Sequence, residues 1–293
     1  MTGRLATLSA LDAAIMETVA YADVFAWPLT AAEVHRFLPV PAGAADVATA
    51  LSSARLSQFL TPAAEFHVLH GREHLVAERR RRTIASRRMW PGVLRRARLL
   101  ARIPWVRMVA VSGSLAVSAA FDGDDVDLFM VTDDERLWTC RALTILAGRV
   151  PSMPGTARPR LCPNFIVAAS ALELEDRDVY TAHELVQLVP LVGAQTYAEL
   201  LDRNRWYRDF LPNHAGYTAT IAQRAGCTRP PGAVAKSIER WEMRRKVARL
   251  RGIGPSAETR FDASTCKGHV DGHRRRFWTA FEARLRQLEE RAA

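Results

Sequence analysis

The residues VAVSGSLAVSAAFDGDDVDLFMVT, numbered 109–132, hold the pattern that decides the fold of this chain. Two apolar runs, one ending at Val111 and one following Asp125, are rich in valine and bounded by turn-forming residues, which is typical of β-strands. A segment rich in small residues, 115–120, lies between them and predicts a short helix. We therefore interpret the stretch as a strand, a short helix, an acidic turn and a second strand.

Asp125 and Asp127 stand two residues apart at the start of the second run. Because side chains alternate along a strand, both carboxylates are predicted on one face, while the apolar residues beside them point into the core. Two adjacent carboxylates repel each other unless a cation lies between them, and Mg²⁺ or Mn²⁺ suits such an oxygen site. Gly113 and Ser114, at the start of the predicted helix, offer backbone N–H groups to an anion. This combination indicates phosphoryl or nucleotidyl chemistry.

Gly113-Ser114, ten further residues and then Asp125-Val126-Asp127-Leu128 resemble the signature of the DNA polymerase beta-like nucleotidyltransferase superfamily, above all its minimal members. The similarity covers roughly residues 108–131 and includes the order, spacing and strand context of the motif. The chain departs from the pattern at Val117 and Ser118, where minimal members often carry a basic residue and a second glycine.

The resemblance implies transfer of a nucleoside monophosphate from an NTP to an acceptor hydroxyl or amine. In that scheme Asp125 and Asp127 bind Mg²⁺ or Mn²⁺, and Gly113 and Ser114 hold the triphosphate. Arg141, on the helix predicted after the second strand, could reach the triphosphate or pair with an acidic side chain. The acceptor is left open among a small molecule, a protein and an RNA end.

A third family carboxylate is expected on the next strand, which we predict over residues 161–169. The register-matched position there is Asn164, whose amide oxygen can bind Mg²⁺ but carries no charge and cannot act as a general base. Glu173 and Glu175 follow closely and would replace it if the strand register differs. We predict that Asn164 lies beside Asp125 and Asp127.

The composition is that of a globular protein: 293 residues, 48% hydrophobic and 25% charged, long enough for two or three compact units. No apolar run approaches the length of a membrane span, and the N-terminal residues lack the order of a signal peptide. Four cysteines stand far apart, without zinc or disulfide spacing. These features predict a cytoplasmic protein that makes no membrane contact.

The net charge of +10 is unevenly distributed along the chain. Residues 1–107 hold 15 arginines against 8 acids (+7), residues 108–220 hold 9 against 15 (−6), and residues 221–293 hold 17 basic residues against 8 acids (+9). An acidic centre between basic flanks suits a metal site in a chain that also makes non-specific contact with nucleic acid. The competing interpretation is general arginine usage, since only three of the 41 basic residues are lysine.

Residues 1–77 predict three helices followed by two strands around a turn at residues 70–73, the order of a winged helix. Thr30 and Glu33 have the spacing of a capping box at the second helix. The segment YADVFAWPLTAAEVHRFL also resembles the opening of a bacterial family that joins such a domain to a nucleotidyltransferase domain. The third helix, residues 44–55, is rich in alanine and serine, which favours packing or protein contact over sequence-specific DNA reading.

The predicted fold class is α+β, and the rest of the chain divides into three parts. Residues 78–104 form a basic connector that Pro91-Gly92 splits into two helices, residues 105–178 form a mixed-sheet nucleotidyltransferase core, and residues 179–293 form a helical region. In that last region Thr181 and Glu184 have capping-box spacing, a helix is predicted over residues 194–209, and Asp271 is predicted to cap the last helix.

Two function classes remain open from the sequence. The first is a metal-dependent nucleotidyltransferase with an unidentified acceptor. The second is a catalytically weakened nucleotide-binding regulator or interaction module that uses the same fold without a third carboxylate. The position of Asn164, Glu173 or Glu175 relative to the aspartate pair separates them.

Overall fold

The computed structural model describes residues 8–149, 160–216, 233–251, 259–268 and 272–292. Within these ranges the fold is mixed α+β, with two β-sheets, one of three strands and one of six. No helix in the described ranges combines the length and the apolar composition needed to cross a membrane.

The N-terminal part alternates short helices and strands, in the order α1 (Ala10–Val24), β1 (Leu29–Thr30), α2 (Ala31–Arg36), α3 (Ala44–Leu51), β2 (Leu60–Ala63) and β3 (Phe66–Leu69). The three strands are antiparallel in the order β1-β3-β2. The Thr30 hydroxyl accepts from the backbone N–H of Glu33, and the Glu33 carboxylate accepts from that of Thr30, so the predicted capping box is confirmed. The predicted hairpin turn at residues 70–73 was wrong, because the turn falls at Ala64 and Glu65.

A single long helix, α4 (Leu75–Leu100), connects this part to the central sheet. The prediction that Pro91-Gly92 divides it in two was wrong. Pro91 lies on the solvent side, where water can satisfy the carbonyl of Arg87 that loses its intrahelical partner. Met89 and Val93 on the opposite side are buried in one core, which keeps the two halves in line.

The central sheet has the strand order β7-β4-β5-β6-β9-β8. Its strands are β4 (Val106–Val111), β5 (Val126–Thr132), β6 (Leu161–Ala168), β7 (Val189–Val192), β8 (Thr259–Phe261) and β9 (Thr265–Gly268). The pair β5 and β6 is parallel and the other pairs are antiparallel, so β5 and β6 begin at the same edge of the sheet. Sequence analysis missed the strands at 189–192 and 259–268 because it treated residues 179–293 as helical.

The remaining helices surround this sheet: α5 (Gly113–Ala116), α6 (Leu137–Arg149), α7 (Val179–Val186), α8 (Ala194–Arg203), α9 (Tyr207–Phe210), α10 (Ala233–Arg251) and α11 (His273–Ala292). The single helix predicted over residues 194–209 is interrupted at Asn204. That side chain is fully buried and bonds the backbone of Leu172 and Leu174, so it fixes a bend between α8 and α9. The predicted cap Asp271 lies outside the described residues.

The two faces of the sheet pack against different helices. On the α4 face, residues such as Leu128, Met130 and Ile166 contact α4, α6 and α10. On the α7 face, residues such as Phe129 and Val167 contact α7, α8 and α9. Since each strand alternates between the faces, Asp127 shares the α7 face with Phe129.

Candidate functional site

The turn after β4 lies directly against the Asp127 side chain. Gly113 has φ +63°, a left-handed conformation, and a Cβ placed on it would lie 2.8 Å from Asp127 Oδ2. The Ser112 backbone N–H donates to the Asp127 carbonyl at 2.9 Å, which holds the turn and the strand together. Only glycine therefore allows the backbone to approach the carboxylate this closely.

A cavity of about 500 Å³ opens on the α7 face at this point. Its walls come from the β4–α5 turn, the starts of β5 and β6, and one side of α7. The polar residues of these walls are Ser112, Gly113, Ser114, Asp127, Cys162, Asn164, Tyr180, Thr181 and Glu184. Phe25, which ends α1, and His273, which begins α11, also line it, so both ends of the described chain contribute.

Asp127 is the acid of the predicted pair that faces the cavity. Burial first, and then the negative charge of Asp125, raise its pKa to about 6. The Cys162 thiol donates a hydrogen bond to it, which opposes this rise. The single hydrogen bond from Cys162 therefore does not offset the unfavourable burial and charge repulsion of ionised Asp127. A cation bound to this carboxylate would stabilise its charge.

Asp125 has a different environment although it is only two residues away. Its side chain is about half exposed, and Oδ1 pairs with Arg160 Nε at 2.8 Å. It is not among the residues that line the cavity. The adjacent acidic turn is closed by Asp124, whose Oδ2 accepts from the Phe121 N–H at 2.8 Å. Asp127 therefore faces the cavity, whereas Asp125 lies outside its lining but close enough for its charge to raise the pKa of Asp127.

Asn164 and Asp127 both line the cavity. The pairing of β5 with β6 shifts at this point: Leu128 lies opposite Pro163 and Phe129 opposite Phe165, so Asn164 is the additional residue. Asp127 itself lies opposite Cys162, a neighbour that sequence analysis did not single out.

The alternative acids lie elsewhere in the fold. Glu173 pairs with Arg177 on the surface, and Glu175 pairs with Arg260. Neither carboxylate lines the cavity. Among the described residues, no group of three or more His, Cys, Asp and Glu side chains converges as a ready-made metal site.

Arg141 lies on α6, which packs against the α4 face, and it does not line the cavity. Its guanidinium bonds the thiol of Cys266, a buried residue of β9, and its Nε is buried without a hydrogen-bond partner in the described ranges. This position gives no support to the expected contact with a triphosphate, although the charge of Arg141 acts on the Cys162 thiol at the cavity wall.

The α7 wall contains two functional candidates that sequence analysis had assigned to a helix cap. The capping residue is Asp178, whose Oδ1 accepts from the Thr181 N–H at 2.8 Å, so the predicted capping box of Thr181 and Glu184 was wrong. Both residues instead lie inside α7, three positions apart, where they face the cavity. With the helix start placed three residues earlier, this spacing would have predicted that Thr181 and Glu184 lie on the same face of α7.

Thr181 is buried and Glu184 is partly buried. Burial raises the pKa of Glu184 to about 7, while Lys267 and a hydrogen bond from Tyr180 oppose the rise. Thr181 is 2% exposed, and its Oγ1 has no hydrogen-bond partner in the described part of the chain. A buried hydroxyl without a hydrogen-bond partner lowers the stability of the fold by about 1–3 kcal/mol, so a polar ligand group that bonds Thr181 would recover this free energy.

No protein-family model matches this chain, and no curated protein or solved structure was found to be similar to it.

Proposed function

We propose that the protein is a metal-dependent nucleotidyltransferase of the DNA polymerase beta-like type. The observation that carries the proposal is the contact between the Gly113 backbone and the Asp127 carboxylate at the wall of a substrate-sized cavity. This contact supports the sequence resemblance, because it brings the glycine–serine turn and the second aspartate of the motif into one site. The transferred group is a nucleoside monophosphate, and an NTP supplies it.

The residues present fit a Mg²⁺ or Mn²⁺ ion. Asp125 and Asp127 would hold the ion, and the Asn164 amide oxygen offers a further neutral ligand. Because only two carboxylates are available, water and substrate phosphates would complete the shell, as Mg²⁺ commonly requires. When bound, the ion neutralises charge that develops on the leaving pyrophosphate.

The protein groups position the nucleotide. The Gly113 backbone leaves space beside Asp127, and Ser114 lines the same cavity, so together they can contact the phosphates. Arg160 pairs with Asp125 and would exchange this carboxylate partner for a phosphate when substrate binds. Partial burial of Asp127 lowers the local dielectric constant and strengthens the electrostatic contacts there.

The N-terminal part supports a winged-helix assignment. Its helix and strand order, and its antiparallel sheet β1-β3-β2, agree with three helices and a β-wing. Helix α3 presents mostly small side chains, so we propose that this unit packs against protein and does not read bases. Exposed arginines of α4, among them Arg81, Arg87 and Arg95, would give salt-sensitive contact with nucleic acid.

The proposal is tested with Asp127→Asn, which removes the charge and keeps the shape. Calorimetry with ATP and GTP in Mg²⁺ is expected to show binding to the wild type and at least a hundredfold loss in the variant. The matched control is Asp122→Asn in the same acidic turn, which is exposed and should bind as the wild type does. Equal nucleotide affinity in Asp127→Asn and wild type would refute the metal site.

In the absence of metal, Asp127→Asn should also change how the free energy of unfolding depends on pH. Because the folded pKa of Asp127 is raised to about 6, the native state holds an additional proton between roughly pH 4 and pH 6, so the charge destabilises the fold above that range. Asp127→Asn should raise the free energy of unfolding by about 1–3 kcal/mol at pH 8, and the gain should vanish towards pH 4. Urea unfolding at several pH values measures it, and a pH-independent difference would contradict this cause.

The second candidate function is a nucleotide-binding regulator or interaction module. The specific observation in its favour is Asn164, a neutral residue at the wall where the family has an acid. Mg²⁺-dependent nucleotide binding without pyrophosphate release, across a panel of hydroxyl and amine acceptors, would favour this function over the enzyme.

A further inference from the structure

The α7 wall carries polar groups that metal and nucleotide binding at Asp127 does not use. Thr181 and Glu184 face the cavity from one side of the helix, and the Thr181 hydroxyl is buried without a partner in the described ranges. A protein rarely leaves such a group unsatisfied unless a ligand or an ordered water meets it. The wall therefore has the character of a binding subsite.

The surroundings restrict the ligand. Leu174, Leu185 and Leu188 also line the cavity and suit an apolar body. A carboxylate or phosphate on that body would be repelled by Glu184 and Asp127. An ammonium group could only donate hydrogen bonds, which leaves the donor capacity of Thr181 unused. A hydroxyl group can accept from Thr181 and donate to Glu184 at the same time.

We propose that Thr181 and Glu184 bind the hydroxyl group of a small organic alcohol with an apolar body, and that this alcohol is the nucleotidyl acceptor. The assignment as acceptor rests on the proposed function, whereas the alcohol subsite itself rests on the geometry of the α7 wall. It narrows the acceptor to a small molecule, since Thr181 and Glu184 line a cavity of about 500 Å³.

The transfer would proceed by attack of the alcohol oxygen on the α-phosphorus of the NTP. The new O–P bond forms as the bond from the α-phosphorus to the bridging oxygen breaks, and pyrophosphate leaves with that electron pair. The hydroxyl proton passes to the Glu184 carboxylate. A carboxylate with a pKa near 7 is suited to accept that proton at neutral pH.

The test uses the full chain with two matched probes, 2-phenylethanol and ethylbenzene, titrated by ligand-observed NMR. We expect the wild type to bind the alcohol roughly fivefold or more tightly than the hydrocarbon. Thr181→Val should abolish this preference, and Thr181→Ser, which keeps the hydroxyl, should retain it. Glu184→Gln should retain binding of ethylbenzene and weaken binding of the alcohol.

Thermal unfolding of the unliganded variants gives a second readout. Thr181→Val removes an unpartnered hydroxyl and keeps the side-chain shape, so the Tm should stay equal or rise. A Tm clearly below that of Thr181→Ser would show that the hydroxyl is satisfied inside the protein, and would overturn the subsite.

The outcomes separate this proposal from the proposed function. Equal affinity for the two probes, or tighter binding of 2-phenylethylamine than of the alcohol, overturns the hydroxyl assignment even if Mg²⁺·ATP binds. Competition between ATP and 2-phenylethanol would place the nucleobase on α7 and overturn the acceptor role. If the wild type binds 2-phenylethanol more tightly than ethylbenzene and yet binds no Mg²⁺·NTP, that result would support the alcohol subsite and refute the nucleotidyltransferase proposal.

Discussion

The two faces of the six-stranded sheet are built from alternate residues of the same strands, yet they differ in what they enclose. The α4 face packs Leu128, Met130 and Ile166 against three helices as a continuous apolar core. The α7 face has a comparable core around Phe129 and Val167, but it opens into the polar cavity where β5 and β6 begin. Residues of α7 line this cavity together with the starts of β5 and β6.

The difference shows how a short sequence motif is turned into a site. One residue step along β5 separates Val126, fully buried in the α4-face core, from Asp127 at the cavity. The parallel strand β6 adds Cys162 and Asn164 at the same edge. A substitution should therefore affect ligand binding when its side chain lies on the α7 face. A substitution of a neighbouring residue on the α4 face should affect binding much less.

The largest effect that tests this contrast is expected for Gly113→Ala. The new Cβ would meet Asp127 Oδ2 and would require a positive φ, so nucleotide affinity in Mg²⁺ should fall more than tenfold and stability by about 1–3 kcal/mol. Gly71→Ala is the matched control, since Gly71 also has a positive φ but nothing lies near its added Cβ. The control should lose stability and keep nucleotide binding, and an equal loss of binding in both variants would break the comparison.

An intermediate effect is expected for Asn164→Asp. A third negative charge at the cavity wall should tighten Mn²⁺ binding about tenfold, because it supplies the anionic ligand that the site lacks. The affinity can be followed by electron paramagnetic resonance of Mn²⁺ with and without ATP. If Mn²⁺ affinity is unchanged, Asn164 lies beyond reach of the metal, and the α7 face holds the ion through the aspartates alone.

The smallest effect is expected for Arg141→Met, which changes a charged residue on the opposite side of the sheet. Nucleotide affinity in Mg²⁺ should change less than twofold, because α6 packs against the α4 face. Calorimetry on the folded variant measures this directly. A tenfold loss would mean that the guanidinium reaches around the sheet edge to the phosphates, and the two faces would not be functionally separate.

The sequence allowed prediction where the signal is local. The capping box of Thr30 and Glu33 and the strand at residues 161–168 are each encoded within a few neighbouring residues. Asn164 lines the cavity as the additional residue of a register shift in β6, which strand alternation alone does not predict.

The rest depends on contacts between distant residues. The strands at 189–192 and 259–268 are only three or four residues long and take their structure from their partners in the sheet. The position of Thr181 and Glu184 on the cavity wall was missed because Asp178, an equally good cap, begins the helix three residues earlier. Arg141 could not be assigned to a face, since the sequence does not say which side of the sheet α6 covers.

The packing of α1 on α11 can form only late in synthesis of the chain. Phe25 stacks on Phe277 at 5.5 Å between ring centroids, and Arg284 pairs with buried Asp23 of α1. Translation places these partners at opposite ends of the described chain, so the helices emerge from the ribosome far apart in time. Because Phe25 and His273 both wall the cavity, a nascent chain that already contains the aspartate motif still lacks a complete site until α11 has emerged and docked.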